Sequence, residues 1–395
     1  MQICFFEDIK CKNFKPLTLT RPPWDLRIGI LTIYQKWEKM LRPELIVWNT
    51  EEHLKDVFKT PDLIPSKPCW YINSRVLPSK ELIQDITNLN PGDALFYENE
   101  LIALCSEDTF DFNLLDSFKP AKKIQLGNKP CLIEYVWDLL SLNASQIESD
   151  IELLKDKPIH KEADETVIIK HPENIYIHSS AKIEPGVILI AEKGPVYIGE
   201  DAVIEAGAVL KGPVAICKSA TVKLCGRIYD GSTIGPGCKI GGEVTNSIFH
   251  SFSNKAHDGY VGKSIFGQWC NLGADTNTSN LKNNYGMVTI KDWETKRSYD
   301  TGIQFFGTVM GDHSKTSINT MLNTGTTCGV SANIFQSGFP PRYIQSFTWI
   351  DGQRNPRFRF DKALEAMKAM MARRDKEVTP EYAKMVEYLF EIREN

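Results

Sequence analysis

The sequence predicts an α/β domain, then a parallel β-helix, then a helical tail. Short apolar segments predict the first part, a repeat of six residues predicts the second, and an amphipathic pattern after Trp349 predicts the third. We place the α/β domain at 1–130, a helical connector at 131–165, the β-helix at 166–350 and the carboxyl-terminal helices at 351–395.

The amino-terminal part combines strand-like segments with one amphipathic helix near residues 30–41. The strand-like segments are 45–48, 69–72, 94–97 and 101–104. In the connector, the polar run Asn143-Ala144-Ser145 interrupts the apolar pattern. We therefore predict two helices there, with Asn143 or Ser145 capping the second.

Aliphatic side chains recur at every sixth residue in the middle of the chain. The positions are Ile198, Ile204, Leu210, Ile216, Val222, Ile228, Ile234 and Ile240. Small or compact side chains occupy the companion positions two residues earlier, from Val196 to Cys238. A period of six fits neither an α-helix nor a simple alternating strand. It predicts a solenoid in which three short strands, each with one large and one small inward side chain, close a coil of about 18 residues.

The carboxyl-terminal segment reads as two helices. Phe360, Leu364, Met367 and Met371 share one helical face. Thr379-Pro380-Glu381 has the form of a cap and first turn, so a second helix begins there. We expect these helices to cover an end of the solenoid.

Composition excludes several functions. With 46 Lys and Arg against 50 Asp and Glu, the chain has no overall basic field, and we predict neither a nucleic-acid nor a membrane partner. The start lacks the form of a signal peptide and no long apolar run occurs, so we expect a soluble, cytoplasmic protein. The 10 cysteines and 7 histidines are scattered without ligand spacing, which predicts neither disulfides nor a structural metal.

Polar sequence interrupts the repeat between Asn246 and Asp300. Loops that leave a rigid scaffold often carry function, and His257 and Tyr260 lie in this one. An imidazole can accept the proton of a sugar amine during acyl transfer. A tyrosine hydroxyl or a backbone N–H can stabilise the developing oxyanion. The alternative is a solvated or structural histidine.

The segment 254–262, NKAHDGYVG, resembles the K-A-G-H-x-x-Y-x-G motif in the acetyltransferase half of bifunctional N-acetylglucosamine-1-phosphate uridyltransferases. His257 to Gly262 match in register, whereas Lys255 lies one residue nearer the histidine than the motif's lysine. The resemblance implies that His257 is the general base and that Tyr260 holds the sugar phosphate. It also places Lys255 among the substrate-binding residues.

The same resemblance implies further substrate-binding residues. Arg227 lies 30 residues before His257, the separation of that family's phosphate-binding arginine. Asn280 matches a family asparagine by spacing, whereas Asn284-Tyr285 matches the same segment by dipeptide after a four-residue insertion. Both matches stay open. Thr245 stands where the family has its sugar-phosphate lysine, so that contact is missing.

Longer motifs resemble, over nearly the whole chain, the alternative (Bacteroidetes-type) bifunctional UDP-N-acetylglucosamine diphosphorylase and glucosamine-1-phosphate N-acetyltransferase family. They are residues 16–30, 241–249, 254–262, 279–286 and 310–326. This resemblance implies a nucleotidyltransferase-like α/β domain, a left-handed β-helix and a homotrimer with sites between subunits. It implies acetyl-CoA, a sugar phosphate and UTP as ligands, Mg²⁺ for nucleotidyl transfer, and a place in UDP-N-acetylglucosamine supply for the cell wall.

Two further groups are candidates for phosphate binding. His313, Ser314 and Lys315 project, in our prediction, from a coil turn, where they bind acetyl-CoA or contact a neighbouring subunit; the alternative is a solvated turn. In place of a glycine-rich phosphate loop, the chain has Arg21 and Arg27, which bind phosphates or else pair with Asp25 or Glu38.

Asn73 follows a strand-like segment, at a place where ligand groups often lie in α/β sheets. Related enzymes carry a metal-binding aspartate there, for which asparagine is a poor substitute toward Mg²⁺. We therefore name Asn73 as a nucleotide-binding candidate and predict no metal ligands.

Three functions remain open from the sequence. The first is a transferase that N-acetylates an amino-sugar phosphate, transfers a nucleotidyl group, or does both. The second is nucleotidyl transfer only, with a regulatory β-helix. The third is a non-catalytic sugar-nucleotide sensor or scaffold. His257 with Tyr260 favours the first, whereas Thr245 and the missing glycine-rich loop favour the others.

Overall fold

The computed structural model describes residues 1–64, 67–107, 119–154, 164–352 and 354–392. The chain divides into two units. The first consists of Met1–Phe14, Arg21–Leu26 and Leu31–Val136, and the second of Lys15–Thr20, Arg27–Ile30 and Trp137–Asn395.

The first part of the chain contains eight strands and two α-helices within its described residues. They are β1 Gln2–Phe6, β2 Arg27–Ile28, β3 Leu31–Thr32, α1 Ile33–Leu41, β4 Leu45–Trp48, β5 Cys69–Asn73, α2 Lys80–Thr87, β6 Asp93–Tyr97, β7 Glu100–Ser106 and β8 Lys122–Gln125. Short 3-10 helices occupy Ile9–Phe14, Leu17–Leu19, Pro23–Asp25 and Glu52–Leu54.

Six of these strands form one mixed sheet in the order β4-β1-β5-β7-β6-β8. β1 pairs in parallel with β4 and β5, and β7 runs antiparallel to β5 and β6. All five residues of β1 are buried, as expected for a central strand covered on both faces. The four predicted strand segments correspond to β4, β5, β6 and β7.

The second unit is a parallel β-helix with three faces. The first face contains, in described residues, β10 Ile175–Ile177, β13 Val196–Ile198, β16 Val214–Ile216, β19 Ser232–Ile234, β22 Ile248–Ser251, β25 Ile265–Gln268, β29 Thr308–Met310, β32 Thr326–Cys328 and β34 Tyr343–Ile344. The second face contains β11 Lys182–Ile183, β14 Val203–Ile204, β17 Thr221–Val222, β20 Lys239–Ile240 and β23 Asn254–Lys255, and is continued by β30 Lys315–Thr316, β33 Asn333–Ile334 and β35 Trp349–Ile350.

The third face contains β9 Ile168–Lys170, β12 Ile188–Ile190, β15 Val209–Lys211, β18 Arg227–Tyr229, β21 Glu243–Thr245 and β24 Tyr260–Gly262. β26 Asn277–Thr278 pairs with β31 Met321–Leu322. β27 Thr289–Lys291 and β28 Ser298–Asp300 form an antiparallel hairpin, which departs from the coil within the predicted interruption. A 3-10 helix at Pro172–Asn174 precedes β10.

The residues of the six-step repeat form the interior of the β-helix. All eight aliphatic positions from Ile198 to Ile240 have no exposed surface. Each stacks on its equivalent in the next coil, as in the register Ile204–Val222–Ile240. The predicted fold class is confirmed: an α/β amino-terminal part, a left-handed parallel β-helix and carboxyl-terminal helices.

One predicted break is wrong. Residues Asp138–Leu154 form a single helix, α3, that runs through Asn143-Ala144-Ser145. Asn143 is fully buried, and its amide donates to the Gly231 carbonyl at 2.7 Å and to Thr233 Oγ1 at 2.9 Å. Its carbonyl oxygen accepts from Gly29 N at 2.6 Å. The polar residue is therefore an internal bridge rather than a cap.

Two helices end the chain, as the sequence predicts. α4 covers Phe360–Ala372 and α5 covers Pro380–Glu391. The Thr379 hydroxyl accepts from Tyr382 N at 3.2 Å, which is the predicted cap. Met367 and Met371 of α4 and Met385 of α5 are buried. None of the described helices is long and apolar enough to cross a membrane.

Candidate functional site

His257 lies in the turn that joins the second face of the β-helix to the third, between β23 and β24. His257 and Asp258 are exposed, and the imidazole has no hydrogen-bond partner among the described residues. The turn backbone is held from both sides, because Glu243 N donates to the Gly259 carbonyl at 3.1 Å and Asp275 N donates to the Asp258 carbonyl at 3.0 Å. The backbone of this turn is thus held in place, while the imidazole of His257 is exposed to solvent.

Lys255 supports this turn from inside the coil. It pairs with Ile240 and continues the interior column of Val222 and Ile240, with no exposed surface. Its ammonium donates to the carbonyls of His257 at 2.7 Å, Asp258 at 3.1 Å and Gly241 at 3.2 Å. Burial lowers the pKa of Lys255 to about 8, although Asp258 and Asp275 act in the opposite sense.

The buried position changes the role expected of Lys255. Successive residues of a strand point to opposite faces, so the shift of one residue relative to the family motif places this side chain inside. With all three ammonium protons directed at turn carbonyls, Lys255 positions the His257 turn and does not reach a substrate.

Gly242 allows the close packing beneath the turn. Its φ is +71°, in the left-handed region. A Cβ at this position would lie 2.7 Å from the Gly259 carbonyl oxygen and 2.8 Å from the Lys255 ammonium. Any side chain here would therefore displace the turn that carries His257.

A polar column on the third face begins next to the turn. Arg227, Glu243 and Tyr260 occupy equivalent positions in three successive coils. Arg227 Nη2 lies 3.7 Å from Glu243 Oε2, and the Tyr229 hydroxyl donates to Glu243 Oε1 at 2.6 Å. Sequence reasoning missed Glu243. The side chain of the next residue, Val244, points into the coil, so Glu243 can be recognised as a residue of the outer surface.

Asn280 lies with Tyr260. Its Nδ2 donates to the Tyr260 hydroxyl oxygen at 3.2 Å. Burial raises the pKa of Tyr260, and the hydrogen bond from Asn280 partly offsets that rise. Tyr260 N donates to Asn277 Oδ1 at 2.7 Å, a contact that sequence reasoning also missed. Of the two matches that the sequence leaves open, Asn280 is thus the residue that contacts Tyr260.

Asn284 and Tyr285 lie apart from this pair, in an exposed loop. Asn284 Oδ1 accepts from Gly286 N at 3.1 Å, and the Tyr285 carbonyl accepts from Gln304 at 2.7 Å. A cavity of about 430 Å³ adjoins the loop. It is lined in part by Ser279, Leu281, Lys282, Asn283 and Arg342.

A lysine lies beside Thr245, where the family lysine is missing. Thr245 pairs with Gly262, and Lys263 N donates to the Thr245 carbonyl at 3.1 Å. Lys263 is half-buried, and burial lowers its pKa while the charge of Asp230 opposes the change. The backbone of Lys263, in the next coil, is thus adjacent to Thr245, and only the strand register reveals this neighbour.

The predicted projection of His313, Ser314 and Lys315 from the coil is wrong. His313 is fully buried, stacks on Trp269 at 6.2 Å between centroids, and has Nε2 2.8 Å from the Tyr382 hydroxyl. Ser314 Oγ donates to the Gly329 carbonyl at 2.6 Å, and Lys315 Nζ donates to the His313 carbonyl at 3.0 Å. These side chains join coils and helix α5 together.

Arg21 and Arg27 are both buried and form internal contacts. Arg21 Nη1 lies 3.2 Å from Asp25 Oδ2, which is the pairing that the sequence left as the alternative. Arg27 Nε donates to the His250 carbonyl at 3.0 Å, and its Nη1 donates to the Ile30 carbonyl. Both guanidinium groups are therefore engaged by partners within the protein.

Asn73 belongs to a charged cluster at the carboxyl ends of β1 and β5. Its amide donates to Asp8 Oδ2 at 2.8 Å. The buried Arg75 donates from Nε to Asp8 Oδ1 at 2.8 Å and from Nη2 to Glu100 Oε2 at 2.6 Å. Lys10 also pairs with Glu100. Sequence reasoning named Asn73 but missed Arg75, two residues later.

The cluster does not fit a Mg²⁺ ion. Burial acts to raise the pKa of Asp8, but hydrogen bonds and charge from Arg75 outweigh it and hold the pKa below its usual value. Lys10 and Arg75 do the same for Glu100. Both carboxylates are already neutralised by cations, and no group of three His, Cys, Asp or Glu side chains suited to a metal occurs in the described parts of the chain.

Comparisons with known proteins point to sugar-nucleotide enzymes. Residues 3–158 match a family described as sugar nucleotidyl transferase. The bifunctional protein GlmU of Methanocaldococcus jannaschii is 32% identical over 180 residues, which is 43% of this chain and 40% of the relative. GlmU of Picosynechococcus is 27% identical over 213 residues, covering 48% of this chain and 42% of the relative.

The chain spans less than half the length of these GlmU relatives. GlmU of a Nostoc species is 24% identical over 50% of this chain and 44% of its own length. Among solved structures, UDP-N-acetylglucosamine acyltransferase from Campylobacter jejuni aligns at 12% identity with a TM-score of 0.27, covering 57% of this chain and 94% of that one. By sequence, residues 3–158 are thus similar to sugar nucleotidyl transferases, and up to half of the chain is similar to parts of GlmU proteins.

Proposed function

We propose that the chain is a bifunctional transferase of UDP-N-acetylglucosamine synthesis. The β-helix transfers an acetyl group from acetyl-CoA to the amine of glucosamine 1-phosphate. The amino-terminal part transfers a uridylyl group from UTP to the sugar phosphate. The observation that carries the proposal is the exposed His257 imidazole on a turn fixed by the buried Lys255 and followed directly by Tyr260.

Acetyl-CoA supplies the acyl group as a thioester. His257 accepts a proton from the sugar amine while the nitrogen forms a bond to the thioester carbonyl carbon. Backbone N–H groups of the coil stabilise the oxyanion. When the carbon–sulfur bond breaks, His257 returns the proton to the leaving thiolate. The proton balance thus needs one imidazole and no metal ligand.

Residues of the third face bind the sugar phosphate. Arg227 is half exposed, and its distance of 3.7 Å from Glu243 makes a weak ion pair that a phosphate can replace. Tyr260 and Asn280 contribute a hydroxyl and an amide that already contact each other. Lys263, whose backbone is adjacent to Thr245, takes the place of the family lysine that is missing at position 245. Asn284 and Tyr285 border the site from their loop.

The amino-terminal part is proposed to carry out nucleotidyl transfer. A sugar phosphate oxygen attacks the α-phosphorus of UTP, and pyrophosphate leaves. The match of residues 3–158 to the sugar nucleotidyl transferase family supports this step. Asn73 and Arg75 lie at the carboxyl ends of parallel strands, where ligands of α/β sheets bind, and they order that edge.

We also propose a homotrimer in the cytoplasm, where acetyl-CoA and UTP are available. Apolar side chains exposed on the β-helix support self-association. Leu224 is 64% exposed, Ile318 68% and Met321 39%. Light scattering coupled to size exclusion should give three times the chain mass of 44.7 kDa. A mass of one chain at micromolar concentration would contradict the trimer.

The test of the two activities is a pair of assays on the full chain. Glucosamine 1-phosphate with acetyl-CoA should release free thiol, and N-acetylglucosamine 1-phosphate with UTP and Mg²⁺ should release pyrophosphate. His257→Ala should slow thiol release about 10²–10⁴-fold, the usual contribution of a general base. His178→Ala removes another exposed histidine of the β-helix and should leave the rate unchanged.

The alternatives give different results. Pyrophosphate release without thiol release would indicate a nucleotidyltransferase with a regulatory β-helix. Neither product would indicate a sensor or scaffold. Thiol release that His257→Ala leaves unchanged would remove His257 as the base.

A further inference from the structure

A cavity of about 260 Å³ lies in the second unit, beside β34, the last strand of the first face within the described residues. Four separate chain segments line it. They contribute, among others, Lys15 before the β-helix, Trp293 and Glu294 from the turn of the hairpin β27–β28, Tyr343 and Gln345 at β34, and Leu389 of α5. Cavities for drug-sized ligands measure about 300–1,000 Å³, so this smaller one suits a single ring with its substituents.

The walls of the cavity are held together by specific contacts. Lys15 Nζ lies 2.9 Å from Glu294 Oε1, which connects the amino-terminal segment to the hairpin turn. The Tyr343 hydroxyl donates to the Trp293 carbonyl at 3.1 Å, which connects the same turn to the coil. Three of the four lining segments lie outside the six-residue repeat, so the cavity is built by additions to the solenoid.

Two aromatic side chains form one wall. The rings of Trp293 and Tyr343 have centroids 5.2 Å apart and planes inclined by 45°. Both side chains are only partly buried. Two rings at this inclination form a wedge, whereas a planar base is held best between parallel planes. The electron-rich faces of a wedge suit a puckered pyranose ring, which presents C–H groups on its faces.

Polar groups of the same lining are available to a ligand. The Gln345 amide and the Trp293 indole N–H make no hydrogen bond within the described ranges, and neither group is fully buried. Lys15 contacts only one oxygen of Glu294, so the other oxygen can accept a further hydrogen bond. The amide both donates and accepts, the indole donates and the carboxylate accepts. Hydroxyl groups, which donate and accept, match this mixed set.

The charges of the cavity favour a neutral ligand. Lys15 and Lys296 line it as cations, and they are opposed by Glu294 and by the partial negative charge at the carboxyl end of α5. A phosphate here would meet the carboxylate and the helix end, whereas an uncharged polyol meets no such cost. We propose that this cavity binds a neutral saccharide through one pyranose ring.

The saccharide site is separate from the His257 turn. That turn belongs to the coil that begins with β22, and β34 lies four strands further along the first face. Because neighbouring strands are about 4.8 Å apart, the two sites are about 19 Å apart along the axis of the β-helix. The cavity is therefore a second site, and its occupation is independent of the proposed acetyl transfer.

The test uses the full-length protein with glucose and N-acetylglucosamine as probes, because both are neutral pyranoses without a phosphate. Titration by saturation-transfer difference NMR should show saturable binding of at least one of them. Gln345→Ala should raise its Kd at least about fivefold, since the variant removes hydrogen bonds without disturbing the aromatic wall. Gln336→Ala is the matched control, because Gln336 is also partly buried but does not line the cavity, and its Kd should stay within twofold of wild type.

Two further measurements separate this site from the proposed reaction. Arg227→Ala removes a cation of the proposed sugar-phosphate site and should leave the Kd of the neutral sugar unchanged. Inorganic phosphate and UMP should not displace the sugar. Absence of saturable binding, displacement by either anion, or a Kd that responds to Arg227→Ala but not to Gln345→Ala would overturn the saccharide site. None of these results would change the thiol-release assay on which the proposed acetyl transfer depends.

Discussion

The six-residue pattern of the sequence does not predict that the side chain of Lys255 lies inside the β-helix. Its column in the β-helix is otherwise aliphatic, as at Val222 and Ile240. A buried ammonium is tolerated there because each of its three protons meets a backbone carbonyl. The motif indicates that a lysine accompanies the histidine. Only the strand register shows that this lysine points inward.

Removal of this ammonium should have a pH-dependent effect on stability. The folded pKa of Lys255 is about 8, below the ordinary value of 10.5. Between these values the unfolded chain binds the proton that the folded chain has released, so stability from this group rises with pH. The unfolding free energy of wild type minus that of Lys255→Met should increase by up to about 1 kcal/mol per pH unit from pH 8 to 10.

The measurement is urea unfolding at several pH values. Lys218→Met is the control, because Lys218 is an exposed lysine of the same β-helix. The difference for Lys255→Met should be constant below pH 7. A difference that stays constant up to pH 10 would show that Lys255 does not titrate as its burial indicates.

Lys263 should contribute to phosphate binding. Lys263→Met removes the cation beside Thr245, so the KM for glucosamine 1-phosphate should rise about tenfold, while kcat stays near the wild-type value. Thr245→Lys in that background should restore the KM, because it returns a charge to the adjacent strand position. Steady-state kinetics decide this; an unchanged KM in Lys263→Met would remove Lys263 from the site.

At the scale of elements, helix α3 shows where the sequence pattern fails. The six-residue period predicts the β-helix well because each repeated position has one local environment. Asn143 instead contacts residues 88, 90 and 114 positions away in the chain. The sequence around Asn143 has the pattern of a helix break. The neighbouring residues do not distinguish a capping asparagine from one that bridges distant segments.

Asn143→Ala should therefore destabilise the protein strongly. It leaves Gly29 N, the Gly231 carbonyl and Thr233 without their partner in a buried place, at a cost of about 2–4 kcal/mol. Ser145→Ala, on the exposed side of the same helix, should change stability by less than about 0.5 kcal/mol. Denaturant midpoints measure both. Equal midpoints for the two variants would contradict the bridge.

In the candidate site, sequence motifs identify some residues, and only the strand register identifies the others. His257, Tyr260 and Arg227 are accessible to sequence reasoning because each occupies a recognisable spacing. Glu243 and Lys263 are not, because they become neighbours of these residues only when coils stack. The same limit explains His313, whose polar motif reads as a turn but packs beneath Tyr382 of α5.

At the scale of the whole molecule, the two longest sequence motifs prove to be in contact within the second unit. Thr20 Oγ1 donates to Asp312 Oδ2 at 2.8 Å, while Asp312 Oδ1 accepts from Gln268 N at 2.7 Å. Arg27 reaches the His250 carbonyl from the same amino-terminal region. Thr20 and Asp312, one from each motif, thus serve the fold of the β-helix.

The two proposed activities should be separable in one chain. His257→Ala removes a side chain that has no partner among the described residues, so the fold should persist. Pyrophosphate release from UTP with N-acetylglucosamine 1-phosphate should stay within twofold of wild type in this variant, whereas thiol release is lost. Parallel loss of both activities would contradict the assignment of His257 to acetyl transfer alone.

The most direct measurement of the central claim is chemical rescue of His257→Ala. Because His257 is exposed, added imidazole can enter the position that the side chain leaves. Formation of N-acetylglucosamine 1-phosphate from acetyl-CoA, followed by mass spectrometry, should rise with the concentration of neutral imidazole and should be unaffected by it in wild type. Full activity of His257→Ala without imidazole would contradict the account.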